Sequence, residues 1–305
     1  MAYILETHDL TKRYGQKEAA KNVNLHVEEG KIYGLIGRNG AGKTTIMRMI
    51  SGLSTPTGGS YSLFGKSGMG MKRMLKYVGV LIEHPGLYPR LSAYDNLKIK
   101  CVALGIRKKG YVEELLQLVG LENVDKKKGA GSFSLGMRQR LGIALALVGD
   151  PKLIILDEPI NGLDPQGIVE VRETLARLRD ERGISIMISS HILDELAKVA
   201  DSYGIIHEGT LLDEFSAEEL HKRSGRYMLI RTDNTAETLR VLEMIGVRNA
   251  QAQHDGSIRV DQYLDQTAAI SRAIVQSGIG LNEIFLNSLS LEDYYLGMTG
   301  GEHNG

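Results

Sequence analysis

The sequence predicts an α/β fold, a mainly parallel sheet with helices on both faces, followed by a small α+β domain. Three observations predict it. In the first two-thirds of the chain, short β-branched apolar runs alternate with longer helix-period stretches. The apolar runs are continuous rather than alternating, as strands buried on both faces must be. After about Gly225 the composition shifts, and strand and helix patterns follow in the order β-α-β-β-α-β.

The elements justify themselves in order. KIYGLIG (Lys31–Gly37), LIILDEP (Leu153–Pro159), SIMISSH (Ser185–His191) and SYGIIHEG (Ser202–Gly209) have the length and composition of buried strands. Helices are expected after the first three, at Lys43–Ser51, Gly167–Glu181 and Ile192–Val199. Between Met69 and Val148 helix-period residues dominate, as in YVEELLQLVGL and the run after Ser134, which predicts a helical insertion over about 69–148. The first domain is thus expected over 1–224. The second, over 225–305, reads as strand RYMLIRTD, helix TAETLRVLEMIG, strands VRNAQAQ and SIRVD across an HDG turn, helix DQTAAISRAIVQSG and strand GLNEIFL, a ferredoxin-like order. The tail after Thr299 is expected to be disordered.

Bulk properties exclude several classes. The 305 residues carry 37 Lys+Arg and 37 Asp+Glu, so no charge bias points to nucleic acid or an anionic membrane surface. The single Cys101 lies in the apolar segment KIKCVAL and reads as a buried thiol in a reducing compartment. The N-terminus lacks a basic stretch followed by an apolar core, so no signal peptide is predicted. The longest apolar run, Leu141–Gly149, has nine residues, against the roughly 20 that span a membrane. A soluble, cytoplasmic chain is expected.

Gly37-Arg38-Asn39-Gly40-Ala41-Gly42-Lys43-Thr44 matches the G-x-x-x-x-G-K-[ST] phosphate loop, and it follows a strand and opens a helix, the context that confirms the motif. Its glycines let backbone N–H groups wrap phosphate oxygens, with the helix N-terminus behind them. Lys43 is expected at the β- and γ-phosphates and the Thr44 hydroxyl on Mg2+. LIILDEP ends an apolar strand in two carboxylates: Asp157 is placed for the Mg2+ shell, and Glu158 to deprotonate the attacking water.

SFSLGMRQRLGIALAL (Ser132–Leu147) resembles the signature of ABC ATPases, usually LSGGQ ahead of a helix, with Leu135 and Met137 departing from the first Gly and the Gln. Ser134 is also a natural N-cap of the helix that follows. The resemblance extends over about residues 3–223, with further motifs in family order. Tyr14 in TKRYG resembles the aromatic that stacks on adenine, Asn161-Gly162-Leu163-Asp164 the D-loop, and His191 in SSHILDE the switch histidine at the γ-phosphate. The family's lid-loop glutamine falls at Glu83 of YVGVLIEHPGLYP, and this carboxylate, with LSAYDNL after it, is similar to the Glu-loop variants of exporters for lantibiotics and bacitracin. Near triphosphate it would need Mg2+ or water as a bridge.

The resemblance implies a nucleotide-contacting set of Tyr14, Gly37, Arg38, Asn39, Gly40, Ala41, Gly42, Lys43, Thr44, Thr45, Ser134, Gly136 and Asp164. It implies Glu158, His191 and Lys43 as catalytic and Thr44, Asp157 and Glu83 on the metal side. ATP and Mg2+ are the implied ligands, and the implied assembly is two copies enclosing two ATP. Polytopic permease subunits would hold the chain on the inner face of the cell membrane. A soluble ABC ATPase acting on ribosome or DNA and an importer ATPase are the alternatives. The cargo is not legible, because its contacts belong to the membrane subunits.

Overall fold

The computed structural model describes residues 2–223, 227–287 and 290–300. It divides into two compact units, Met1–Ala217 and Glu218–Gly305. The boundary therefore falls a few residues before the expected 224.

The first unit begins with strands β1 (Tyr3–Tyr14), β2 (Lys17–Val23), β3 (His26–Glu28) and β4 (Ile32–Ile36), helix α1 (Lys43–Ile50), strand β5 (Gly58–Leu63) and helix α2 (Gly68–Met74). Strand β6 (Val78–Leu81), helices α3 (Ala93–Ala103), α4 (Tyr111–Leu118) and α5 (Leu135–Leu147), and strand β7 (Leu153–Leu156) follow. Helix α6 (Pro165–Arg182), strand β8 (Ser185–Ser190), helix α7 (Leu193–Ala197) and strands β9 (Ser202–His207) and β10 (Thr210–Ser216) complete the first unit, and helix α8 (Ala217–Arg223) opens the second. The main sheet runs β10-β9-β4-β8-β7-β6, parallel except for the β9–β10 hairpin. Strands β4, β7 and β8 are buried at every residue, which is why they lack alternation.

Two features differ from the expectation. β6 lies inside the segment expected to be helical, pairing Val78 through Leu81 with Leu153 through Leu156. Its four residues are too few to show a period, and a side chain at Gly79 would stand 2.1 Å from the Ala146 carbonyl oxygen, so glycine is required there. The helical insertion proper is thus α3 to α5. The second feature is a small antiparallel sheet in which β1 pairs with β2, β3 and β5, packed over α1 by Leu5, Leu10, Val27, Tyr61 and Leu63. Glu214 of β10 joins it to the main sheet: its carboxylate accepts from the His26 N–H and the Tyr33 hydroxyl, each at 2.7 Å, and lies 2.7 Å from His26 Nδ1. Burial, and then the Glu214 charge, push the Tyr33 phenol well above its ordinary pKa.

The second unit continues with β11 (Tyr227–Thr232), α9 (Thr235–Met244), β12 (Ala250–Ala252), β13 (Ile258–Val260), α10 (Thr267–Gln276), β14 (Leu281–Asn287) and α11 (Leu291–Thr299). Its sheet is antiparallel in the order β12-β13-β11-β14, the split arrangement of a ferredoxin-like domain. Met228, Ile230, Val241, Leu242, Ile258, Val260, Ile270 and Ile274 form its core. Helix α11, absent from the sequence reading, starts on a Ser290–Asp293 capping box and stops at Gly300. The tail expected to be disordered lies, from 301 on, outside the described residues. Among the described residues no helix is long and apolar enough to cross a membrane.

Candidate active site

The carboxyl ends of β4, β7 and β8 are neighbours in the sheet, and each delivers part of one site. Beyond β4 the chain turns through the glycine-rich loop into α1. A Cβ at Gly37 would lie 2.5 Å from the Ile206 carbonyl oxygen, and one at Gly42, where φ is 111°, would lie 2.4 Å from the Ala19 carbonyl oxygen. Both approaches demand glycine. Arg38, Asn39 and Gly40 are exposed at the loop tip, while Ala41 and Lys43 are buried and Thr44 and Thr45 half-buried. Lys43 Nζ donates to the Gly37 carbonyl at 2.6 Å, so its charge sits inside the loop, over the first turn of the helix.

At the end of β7, Asp157 is 5 % exposed and its two oxygens are held separately. The Thr44 hydroxyl donates to Oδ2 at 2.7 Å, and the Ser189 hydroxyl donates to Oδ1 at 2.6 Å. Ser189 Oγ also accepts the Glu158 N–H at 2.9 Å. Glu158 has φ of 49°, a left-handed conformation costly for this residue type and common where a site fixes a side chain. Its Oε2 lies 2.8 Å from His191 Nδ1. Its Oε1 lies 3.1 Å from Lys43 Nζ, an ion pair in a geometry that leaves this buried oxygen without a directed hydrogen bond. The structure thus brings Lys43, Thr44, Asp157, Glu158 and His191 together. Ser189 was missed in the sequence, where nothing distinguishes it from Ser185 and Ser190 of the same strand.

The remaining residues lie apart. A cavity of about 630 Å3 beside the loop is lined by Arg13, Gly15, Lys17, Ala19, Lys21 and Gly40 among others. Tyr14 is about half exposed, with the Lys12 ammonium 5.1 Å from its ring centre, and is not in that lining. Ser134 caps α5 by accepting from the Met137 N–H at 3.2 Å, and Asp164 caps α6 by accepting from the Gly167 N–H at 3.0 Å. The two helix starts adjoin, since a Cβ at Gly136 would lie 3.6 Å from Gly167 Cα. Glu83, in the loop after β6, bonds Arg48 of α1 at 2.5 Å rather than joining Thr44 and Asp157. A groove of about 500 Å3 borders that loop, between Ile82, His84 and Tyr88 on one side and Asn96, Ile99 and Lys100 on the other. Burial lowers the Lys100 pKa and raises that of the Cys101 thiol, which is free and buried.

The donor set around Asp157 is all oxygen, as a hard divalent cation requires, and among the described residues no group of three or more His, Cys, Asp or Glu forms a self-sufficient metal cage. A magnesium carried in on a triphosphate fits Thr44 and Asp157.

The sequence model of the ABC transporter family matches residues 20–161. The chain is 43 % identical over 303 residues to a bacitracin transport ATP-binding protein, BcrA, of Bacillus licheniformis, covering 99 % of both chains. It is 48 % identical over 211 residues to a lantibiotic transport ATP-binding protein, SrtF, of Streptococcus pyogenes, covering 69 % of this chain and 90 % of that one. Among solved structures, cbiO1 of Clostridium perfringens, described as part of an ABC transporter complex, superposes with a TM-score of 0.65 at 28 % identity over 72 % of this chain and 91 % of that one.

Proposed function

We propose, from the premise that this chain belongs to the ATP-binding proteins of ABC transporters and hydrolyses ATP, that it is the motor of an exporter for antimicrobial peptides of the bacitracin or lantibiotic kind. The observation that carries the motor part of this reading is the meeting of Lys43, Thr44, Asp157, Glu158 and His191 at one end of the sheet. Lys43 neutralises β- and γ-phosphate oxygens, and a triphosphate that takes over its ammonium releases Glu158 Oε1. That freed oxygen accepts a proton from the water attacking the γ-phosphate, while His191 holds the other oxygen in place. Thr44 and Asp157 would hold Mg2+, which supplies charge neutralisation at the phosphates.

Among the described residues, the side chains of Ser134 and Asp164 bond only their own helices, at whose starts they stand, which suits contact with the triphosphate of a second copy. Two copies would then close around two ATP and reopen on product release. Work passes to separate membrane subunits through the groove beside the Glu83 loop. The names of the two relatives support peptide-antibiotic export.

The decisive experiment uses Glu158→Gln with MgATP. Turnover is expected to fall by about 10²–10⁴-fold, the usual worth of a general base. Nucleotide binding persists and light scattering reports a dimer. Normal turnover, or a monomer at saturating MgATP, would overturn the proposal.

A further inference from the structure

Glu83 poses an electrostatic problem that Arg48 answers. The register pairs Leu81 of β6 with Leu156 of β7, so Glu83 leaves its strand level with the Asp157–Glu158 end of the neighbouring strand. A carboxylate there stands in the field of any triphosphate bound over Lys43 and Thr44, and like charges repel with an energy that rises as they approach. The chain turns sharply at this residue, with φ of 64°, and the side chain ends on Arg48 Nη2. Arg48 follows Thr44 by four residues on α1, so it occupies the same helix face one turn further from the phosphate loop. The guanidinium and the carboxylate are 37 % and 59 % exposed, and a pair so exposed adds little to folding. Its value lies in where it leaves the charge.

We propose that Arg48 is a positioning residue for Glu83, neutralising the carboxylate and holding it out of the triphosphate's field so that an acidic side chain can occupy this loop position. The inference rests on the nucleotide site described above but not on any membrane partner. Removing Arg48 frees a negative charge beside the site. Keeping a cation there, or removing the Glu83 charge as well, cancels the effect.

The test is a binding cycle with the full chain, titrating MgATP by calorimetry in a Glu158→Gln background that prevents turnover. Arg48→Met is expected to weaken binding about tenfold, the equivalent of about 1.4 kcal/mol. Arg48→Lys retains most of the affinity, and adding Glu83→Gln to Arg48→Met recovers it to within about threefold of the parent. Because the effect is electrostatic, the Arg48→Met loss shrinks in about 0.5 M salt. A double variant as weak as Arg48→Met alone would overturn the proposal by showing that Arg48 acts on the helix or the phosphates directly. Parental affinity in Arg48→Met would do the same. Failure of all variants, parent included, to bind MgATP would instead strike the nucleotide-site reading.

Discussion

Ser189 donates its hydroxyl proton to Asp157 Oδ1 at 2.6 Å, and its own Oγ accepts the Glu158 N–H at 2.9 Å. One fully buried serine on β8 therefore orients the carboxylate that would hold the metal and pins the backbone from which the proposed general base, Glu158, projects. Ser189→Ala leaves a buried carboxylate oxygen and a backbone N–H without this partner, at a cost of about 1–3 kcal/mol. The expected result is a lower melting temperature together with a roughly tenfold loss in kcat, the rate equivalent of about 1.4 kcal/mol and so of one hydrogen bond, and a smaller change in MgATP affinity. Turnover assays and thermal melts on the purified variant decide it. A kcat within twofold of the parent, with unchanged melting, would remove Ser189 from the catalytic frame.

A second prediction concerns acid stability. Glu114 of α4 accepts from Arg182, in the last turn of α6, at 2.6 Å and from Lys108 at 3.2 Å. The Arg182 bond first, and Lys108 after it, hold the Glu114 carboxyl below its ordinary 4.5. A carboxyl whose folded pKa is depressed contributes stability that is fully present above the unfolded value and lost as pH falls through the folded one. The side chain is about one-third exposed, so the contribution stays at the scale of surface pairs, below about 1 kcal/mol. Glu114→Gln should therefore be slightly less stable than the parent in urea at pH 7, and the gap should close as pH drops below about 4.5. A gap that persists undiminished at pH 3 would mean that the carboxamide disturbs packing instead.

The parts of this site legible in the sequence were those whose chemistry demands consecutive residues. The run from Gly37 to Thr44 must wrap an anion with backbone, and its glycines mark places where a Cβ would strike Ile206 or Ala19. Asp157 and Glu158 follow a strand buried throughout, and although such a pair can simply open a turn, it gains its meaning from the phosphate loop that precedes it in the chain. Ser189 and Arg48 were not legible, because each acts through a partner 32 or 35 positions away and neither has an unusual local context. β6 was hidden by its length, and by glycine at a place where the Ala146 backbone crowds the strand. Helix α11 has its capping box in plain sight as Ser290-Leu291-Glu292-Asp293, but with Asp in place of the more usual Glu or Gln at the fourth position.

Ser134 offers a way to separate folding from nucleotide chemistry. Its hydroxyl caps α5, a task that aspartate performs equally well and with a more favourable interaction with the helix dipole. Ser134→Asp should therefore melt at or slightly above the parental temperature and bind MgATP normally at its own loop. If this hydroxyl meets the triphosphate of a second copy, however, the new carboxylate faces phosphate oxygens, and like charges at about 4 Å oppose each other by several kcal/mol at an effective dielectric near 20. In the Glu158→Gln background, MgATP-driven dimerisation followed by light scattering should then weaken by at least tenfold, with Ser134→Asn, which caps without the charge, falling between. Dimerisation at parental strength in Ser134→Asp would place the start of α5 away from any triphosphate, and the closed two-copy arrangement would have to be abandoned.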